Sequence, residues 1–190
     1  LPLLVRMDTK ELLRAADVIP GYQNAVLKRT RVMPPGEQVS PFATNEGLPV
    51  VAEEMRQAWG DFVVWDTLTQ APAAVSRDDI GKFFFERGVD PSLEGRFSAE
   101  IGGVRVELRP VFDLVAQHLR DTWSLENVEK VTWAPASAVK SVAQQCAANP
   151  EGVLFTVGMG PNQMFNADQK DRAIFLLAAF TGHEIISRVP

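Results

Sequence analysis

The stretch Gly152-Val153-Leu154-Phe155-Thr156-Val157-Gly158-Met159-Gly160-Pro161-Asn162-Gln163-Met164-Phe165-Asn166, with the apolar run that ends at Phe180, decides how this chain is read. From Gly152 to Gly158 nearly every residue is apolar, as expected of a parallel strand covered on both faces. Residues 158–166 form a loop of glycines and amides. A helix from Lys170 to Phe180 follows, ended by Thr181-Gly182. Helix, strand, glycine-rich loop and helix make half of a doubly wound α/β layer.

Ligands of such sheets sit beyond the carboxyl ends of the strands, where residues 158–166 fall. Gly158 and Gly160 let backbone N–H groups approach a ligand closely. Asn162, Gln163 and Asn166 supply amides that both donate and accept, which suits a heterocycle, ribose or pyrophosphate edge. Asp168 is read as the cap of the next helix. The loop lacks a GxGxxG fingerprint and a phosphate-gripping Lys-Ser/Thr pair, so the pattern by itself leaves a structural tight turn and a nucleotide site both open.

Working outward, Pro135 opens a helix that runs to Ala148, with Val139, Val142 and Cys146 at helical spacing. Ser124 and Asn127 resemble a capped helix start. Val111–Thr122 reads as a helix with Phe112, Val115 and Leu119 as its buried stripe and Leu114 beside it. Residues 97–108 read as a hairpin turning at Gly102-Gly103. There Val104, Val106 and Leu108 share one face, and Arg105, Glu107 and Arg109 the other. Ile80–Arg87 is expected to be helical, and Phe83–Phe85 cannot all face one side of it, so at least one is exposed or docked on another domain. The pair Asp78 and Asp79 has the chemistry to hold a hard metal, but solvated carboxylates near the helix N-terminus are the preferred reading. Phe62–Val75 is a second hairpin, in which Asp66 is a turn former rather than a catalytic acid.

The first third of the chain is less regular. Leu1–Val5 suggests a strand, and Lys10–Ala16 a helix capped by Asp8 or Thr9 with Leu12 and Leu13 inward. Residues 21–49 carry four prolines and read as a long irregular excursion. The organisation expected is therefore a lead-in with that excursion over 1–61, a hairpin-rich segment over 62–110, and an α/β cofactor-facing segment over 111–190. The fold class is α/β: part of a doubly wound Rossmann-like layer with an inserted hairpin-containing segment.

Composition excludes several functions. The chain has 190 residues, 46% of them hydrophobic and 23% charged, with net charge −5. That is enough to bury a core, and the absence of a basic stripe argues against a nucleic-acid partner. Cys146 stands alone and is read as a core or half-buried filler; with only His118 and His183 beside it, neither a tetrahedral zinc site nor a four-cysteine cluster can form. No catalytic or metal-ligating residue is therefore assigned. No apolar run reaches the 18 residues of a membrane span. The chain starts at Leu1, without Met, which suggests a piece of something longer.

The string 158–166, followed by Asp171-Arg172-Ala173-Ile174-Phe175-Leu176-Leu177-Ala178-Ala179-Phe180-Thr181-Gly182, resembles the dimethyl-sulfoxide-reductase family of molybdoenzymes. It is most similar to the branch holding respiratory nitrate reductase, nitrite oxidoreductase, perchlorate reductase and ethylbenzene dehydrogenase. Residues 1–9, Val64-Trp65-Asp66 with its hairpin, and residues 106–114 agree, in order. The resemblance implies a fragment of a catalytic subunit, in which Gly158, Gly160, Asn162, Gln163 and Asn166 line one of two molybdopterin guanine dinucleotides. It also implies an iron–sulfur electron-transfer subunit as partner. The family's iron–sulfur cysteines and molybdenum ligand have no counterpart here, so this chain alone is expected to be inactive. After Gly182 the family continues with Asn-Ile-Gly, whereas this chain has His183-Glu184-Ile185. A competing reading is a non-catalytic binding or interaction module built on the same fold. A small NAD-dependent enzyme is disfavoured by the missing fingerprint.

Overall fold

The computed structural model describes residues 1–35, 50–76, 78–79, 83–149, 152–155, 163 and 165–181. The chain divides into two units, Leu1–Asp121 and Thr122–Pro190.

The first unit is built on a three-stranded antiparallel sheet in the order β1-β7-β6, formed by β1 (Leu4–Arg6), β6 (Phe97–Ile101) and β7 (Val104–Pro110). The β6–β7 hairpin pairs Phe97 with Leu108 and Ile101 with Val104, leaving Gly102-Gly103 as the turn. Both glycines have positive φ, +59° and +79°, which suits the right-handed twist of the flanking strands and which only glycine adopts without strain. A second hairpin joins β4 (Phe62–Asp66) to β5 (Ala71–Val75), with Phe62 opposite Val75 and Asp66 opposite Ala71. Single bridges Leu3↔Val64 and Arg14↔Phe62 attach this hairpin to the lead-in segment.

The β6–β7 hairpin lies where the alternation and Gly102-Gly103 put it, and the β4–β5 hairpin where the apolar run and the turn at Asp66-Thr67 put it. Their shared core is Leu4, Leu13, Ala15, Val63, Val106 and Leu108, with Trp65, Ala74, Phe97 and Ile101 packed against it. Trp65 and Phe97 stack with ring centroids 4.4 Å apart and planes 9° from parallel. Each fully buried Val or Leu side chain here stabilises the unit by about 1.5–3 kcal/mol relative to exposure.

Several expectations for this unit need correction. The helix foreseen over Lys10–Ala16 is only α1 (Ala15–Val18). The chain instead turns back at residues 7–9, with Lys10 at φ +64°, so that Val5 pairs with Leu12 and the Leu13 N–H donates to the Leu4 carbonyl at 2.8 Å. Tertiary pairing overrides a modest helical propensity here, and it still buries Leu13. Within 21–49, β2 (Arg31–Met33) pairs in parallel with β3 (Val50–Ala52), which leads directly into α2 (Glu53–Trp59); residues 36–49 lie outside the described residues. Asp78 and Asp79 are not freely solvated. Asp78 accepts from the backbone N–H groups of Lys28 and Arg29, and Asp79 from the Ser76 N–H and Arg87.

Of the helix expected over Ile80–Arg87, the described part is α3 (Phe83–Glu86), where Phe85 is exposed. Arg109 shares a strand face with exposed Arg105 and Glu107 yet is buried, because Asp113 pairs with it at 2.6 Å. Val104, expected inward, is exposed beside the turn. The stripe of α4 (Val111–Thr122) is half-buried rather than buried, with Leu119 exposed.

The second unit is helical among its described residues. In α5 (Leu125–Thr132) the Ser124 side chain accepts from the Asn127 N–H at 3.3 Å, as the sequence suggested. The helix closes at Trp133, which has φ +61° and is 89% exposed. Next come α6 (Ala136–Ala148), entered from Pro135, and α7 (Ala167–Thr181). Cys146 is buried, consistent with a filler.

The architecture is thus mixed α/β with small sheets. Of the parallel strand foreseen over 152–158, residues 153–155 are extended outside any strand, and 156–158 lie outside the described residues. A strand apolar on both faces needs neighbouring strands for its backbone groups and a layer on each side, and the described residues of this unit contain no other strand.

Candidate functional site: the amide segment before the last helix

Three of the five residues assigned to a cofactor contact, Gly158, Gly160 and Asn162, lie outside the described residues. Gln163 and Asn166 are described, and both are exposed. Asn166 has φ +61° and sits immediately before α7, where its carbonyl accepts from the Gln169 N–H at 3.1 Å. Asparagine tolerates the left-handed region better than other non-glycine residues, so it fits this sharp entry. Phe165, next to it, is 95% exposed. Asp168, expected as a cap, lies in the first turn instead and faces Arg172 at 3.7 Å. The segment therefore offers two neutral side-chain amides and an exposed aromatic ring at the front of a helix. That set can hydrogen-bond and stack on a polar heterocycle, and it includes no acid, base or nucleophile.

Among the described residues, the buried carboxylates Asp61 and Asp66 lie elsewhere and are hydrogen-bonded on both oxygens. Asp61 is buried; its Oδ1 accepts from Arg56 Nη2 at 2.7 Å, and its Oδ2 from the Tyr22 hydroxyl at 2.8 Å and the Ala25 N–H at 2.7 Å. Arg56 also donates to the carbonyls of Gly60 and Ala25, at 2.9 and 2.8 Å. Burial, and then the hydrogen bond to Asp61, push the Tyr22 hydroxyl up to about 12. Asp66 Oδ1 accepts from the N–H groups of Asp90 and Leu68, and its Oδ2 from Thr69 Oγ1 at 2.7 Å. The Asp90 N–H and the Thr69 hydroxyl hold its carboxyl below the ordinary value.

Held below its ordinary value, the Asp66 carboxyl is a poor base. Both clusters pin loops: Asp61 ties residues 22–25 to the end of α2, and Asp66 ties the β4–β5 turn to residues 88–92. Asp66 is thereby the turn former the sequence indicated. Sequence reasoning missed the Arg56–Asp61 pair, since nothing in a five-residue spacing across Gly60 signals burial. His118 is exposed on α4, and His183 lies outside the described residues.

The class this chain is similar to is that of reductase alpha subunits. It is 29% identical over 187 residues to perchlorate reductase subunit alpha of Dechloromonas aromatica (strain RCB), covering 97% of this chain and 18% of that protein. It is 25% identical over 186 residues to respiratory nitrate reductase subunit alpha of Haloferax mediterranei, covering 96% of this chain and 16% of that one. The chain thus spans less than a fifth of the length of these curated relatives. No family model matches it.

Proposed function

We propose that this chain is a segment of the catalytic subunit of a molybdenum-dependent oxidoreductase of the nitrate and perchlorate reductase kind. The observation that carries this reading is the similarity, over 97% and 96% of the chain, to two reductase alpha subunits several times its length. In the proposal, residues 111–190 belong to a doubly wound α/β layer whose other strands come from the rest of the subunit. That accounts for a strand-like apolar sequence at 152–158 whose described residues 153–155 form no strand here.

The contact to a molybdopterin guanine dinucleotide is assigned to Gly158, Gly160, Asn162, Gln163 and Asn166. The exposed amides of Gln163 and Asn166 suit it, because neutral amides recognise nucleotide edges without fixing a protonation state. Their role is to bind and orient; the glycines permit close backbone approach. When bound, the cofactor supplies oxygen-atom or electron exchange at molybdenum, and an iron–sulfur subunit is the proposed electron partner.

The test is cofactor analysis of the polypeptide that carries this sequence in its host. The expected result is molybdenum with a pterin, release of a guanine nucleotide on acid hydrolysis, and reduced cofactor retention in the Gln163→Ala and Asn166→Ala variants. A product without molybdenum would overturn the proposal, as would redox activity with stoichiometric molybdenum in the isolated 190-residue chain.

A further inference from the structure

The second unit presents apolar side chains outward on all its described helices. Trp133 is 89% exposed, Val131 67%, Val142 59% and Phe175 47%, with Trp123 and Leu177 also exposed. Only Cys146 and Ala178 are buried among its described hydrophobic residues. In α7, residues 173–180 are eight consecutive apolar residues, so apolar groups project at every angle around the axis. A helix apolar all round belongs inside a large protein or a membrane. At 15 residues α7 is too short to span a bilayer, and no helix among the described residues is long and apolar enough to do so.

Charge points the same way. Residues 122–190 hold five Lys or Arg and six Asp or Glu, so they are nearly neutral and carry little of the charge that keeps a free surface solvated. At the end of α5, Trp133 combines near-complete exposure with a left-handed backbone that bulky residues avoid. Tryptophan is also the residue most enriched among the anchors of interfaces.

From these observations we infer that the outward apolar faces of α5, α6 and α7 are one half of a permanent interior, completed by the remaining polypeptide of the longer subunit. The inference rests on the proposal that the chain is a segment of such a subunit. What selects this occupant over a transient partner is the extent of the apolar surface: obligate contacts resemble a core cut in half, whereas electron-transfer encounters are small. The relatives supply the missing length, since more than four-fifths of each lies outside the match.

The experiment compares the complete polypeptide with the 190-residue chain, each carrying Phe175→Asp or Trp133→Asp, with Leu68→Asp as a control at an exposed turn of the first unit. In the 190-residue chain the first two substitutions should leave soluble yield unchanged or raised, and Trp133 should be open to acrylamide quenching. In the complete polypeptide both should cut soluble yield by about tenfold or more, Trp133 should be shielded, and Leu68→Asp should be tolerated. Tolerance of all three substitutions in the complete polypeptide overturns the inference. So does shielding of Trp133 in the 190-residue chain that grows with concentration, because a second copy would then be the occupant. Shielding and intolerance in a complete polypeptide that lacks molybdenum sink the cofactor reading and keep this one. A host product no longer than these 190 residues overturns both.

Discussion

Residues 1–121 and 122–190 differ in where their apolar residues go. In the first unit two hairpins close over Leu4, Leu13, Val63 and Leu108, all fully buried, and every buried acid is paired or donated to. In the second, the described helices bury almost nothing, and tryptophan, valine and phenylalanine are exposed. Segments of one chain with similar local regularity can thus differ in self-sufficiency. Local capping and propensity mark where α5 and α6 run, whereas their stability, like a core, needs non-local partners.

The strongest way to break this contrast is to remove a buried charge partner from the first unit. Asp61→Ala leaves Arg56 buried and unpaired and should cost about 3–5 kcal/mol in urea unfolding. Leu108→Ala opens a cavity at the centre of the sheet and should cost about 2–5 kcal/mol by the same measurement. The equivalent truncation in the second unit, Val142→Ala, should change little, since Val142 is 59% exposed.

pH sharpens the comparison next. The folded-state value of Asp66 lies below the ordinary 3.8, so the folded state binds that proton less well than the unfolded one. Its stabilising contribution is present above 3.8 and disappears as pH falls through the folded value. For Tyr22 the folded value is raised from 10.0 to about 12, so its contribution is complete below 10.0 and lost as pH rises to about 12. Both losses should appear as lowered melting temperature of the first unit, at opposite ends of the pH range, and Asp66→Asn and Tyr22→Phe should each flatten one end.

A change in the opposite direction is expected at Trp133. Replacing it with asparagine in Trp133→Asn removes a bulky residue from the left-handed region and should stabilise the end of α5 by about 1 kcal/mol, read as increased helicity by circular dichroism.

Much of the first unit was legible because its signals are local. Glycines 102 and 103 mark a hairpin turn, alternation at 104–108 marks a half-buried strand, and Asp66-Thr67 marks a turn. What escaped was non-local. Leu12 pairs with Val5 instead of extending a helix, residues 31–33 find residues 50–52 across a long gap, and Arg109 is buried because Asp113 neutralises it. In the second unit the helices were legible from Ser124, Pro135 and the run 173–180. The strand at 152–158 was read from apolarity alone, and apolarity does not provide the neighbours a strand requires.

The most direct test of the contrast is amide hydrogen exchange on the isolated 190-residue chain. The account predicts slow, cooperative exchange at Leu4, Leu13, Val63 and Leu108, and fast exchange along α5, α6 and α7. Equal, slow exchange in both units would contradict it, because the helices of residues 122–190 would then hold without any polypeptide beyond these 190 residues.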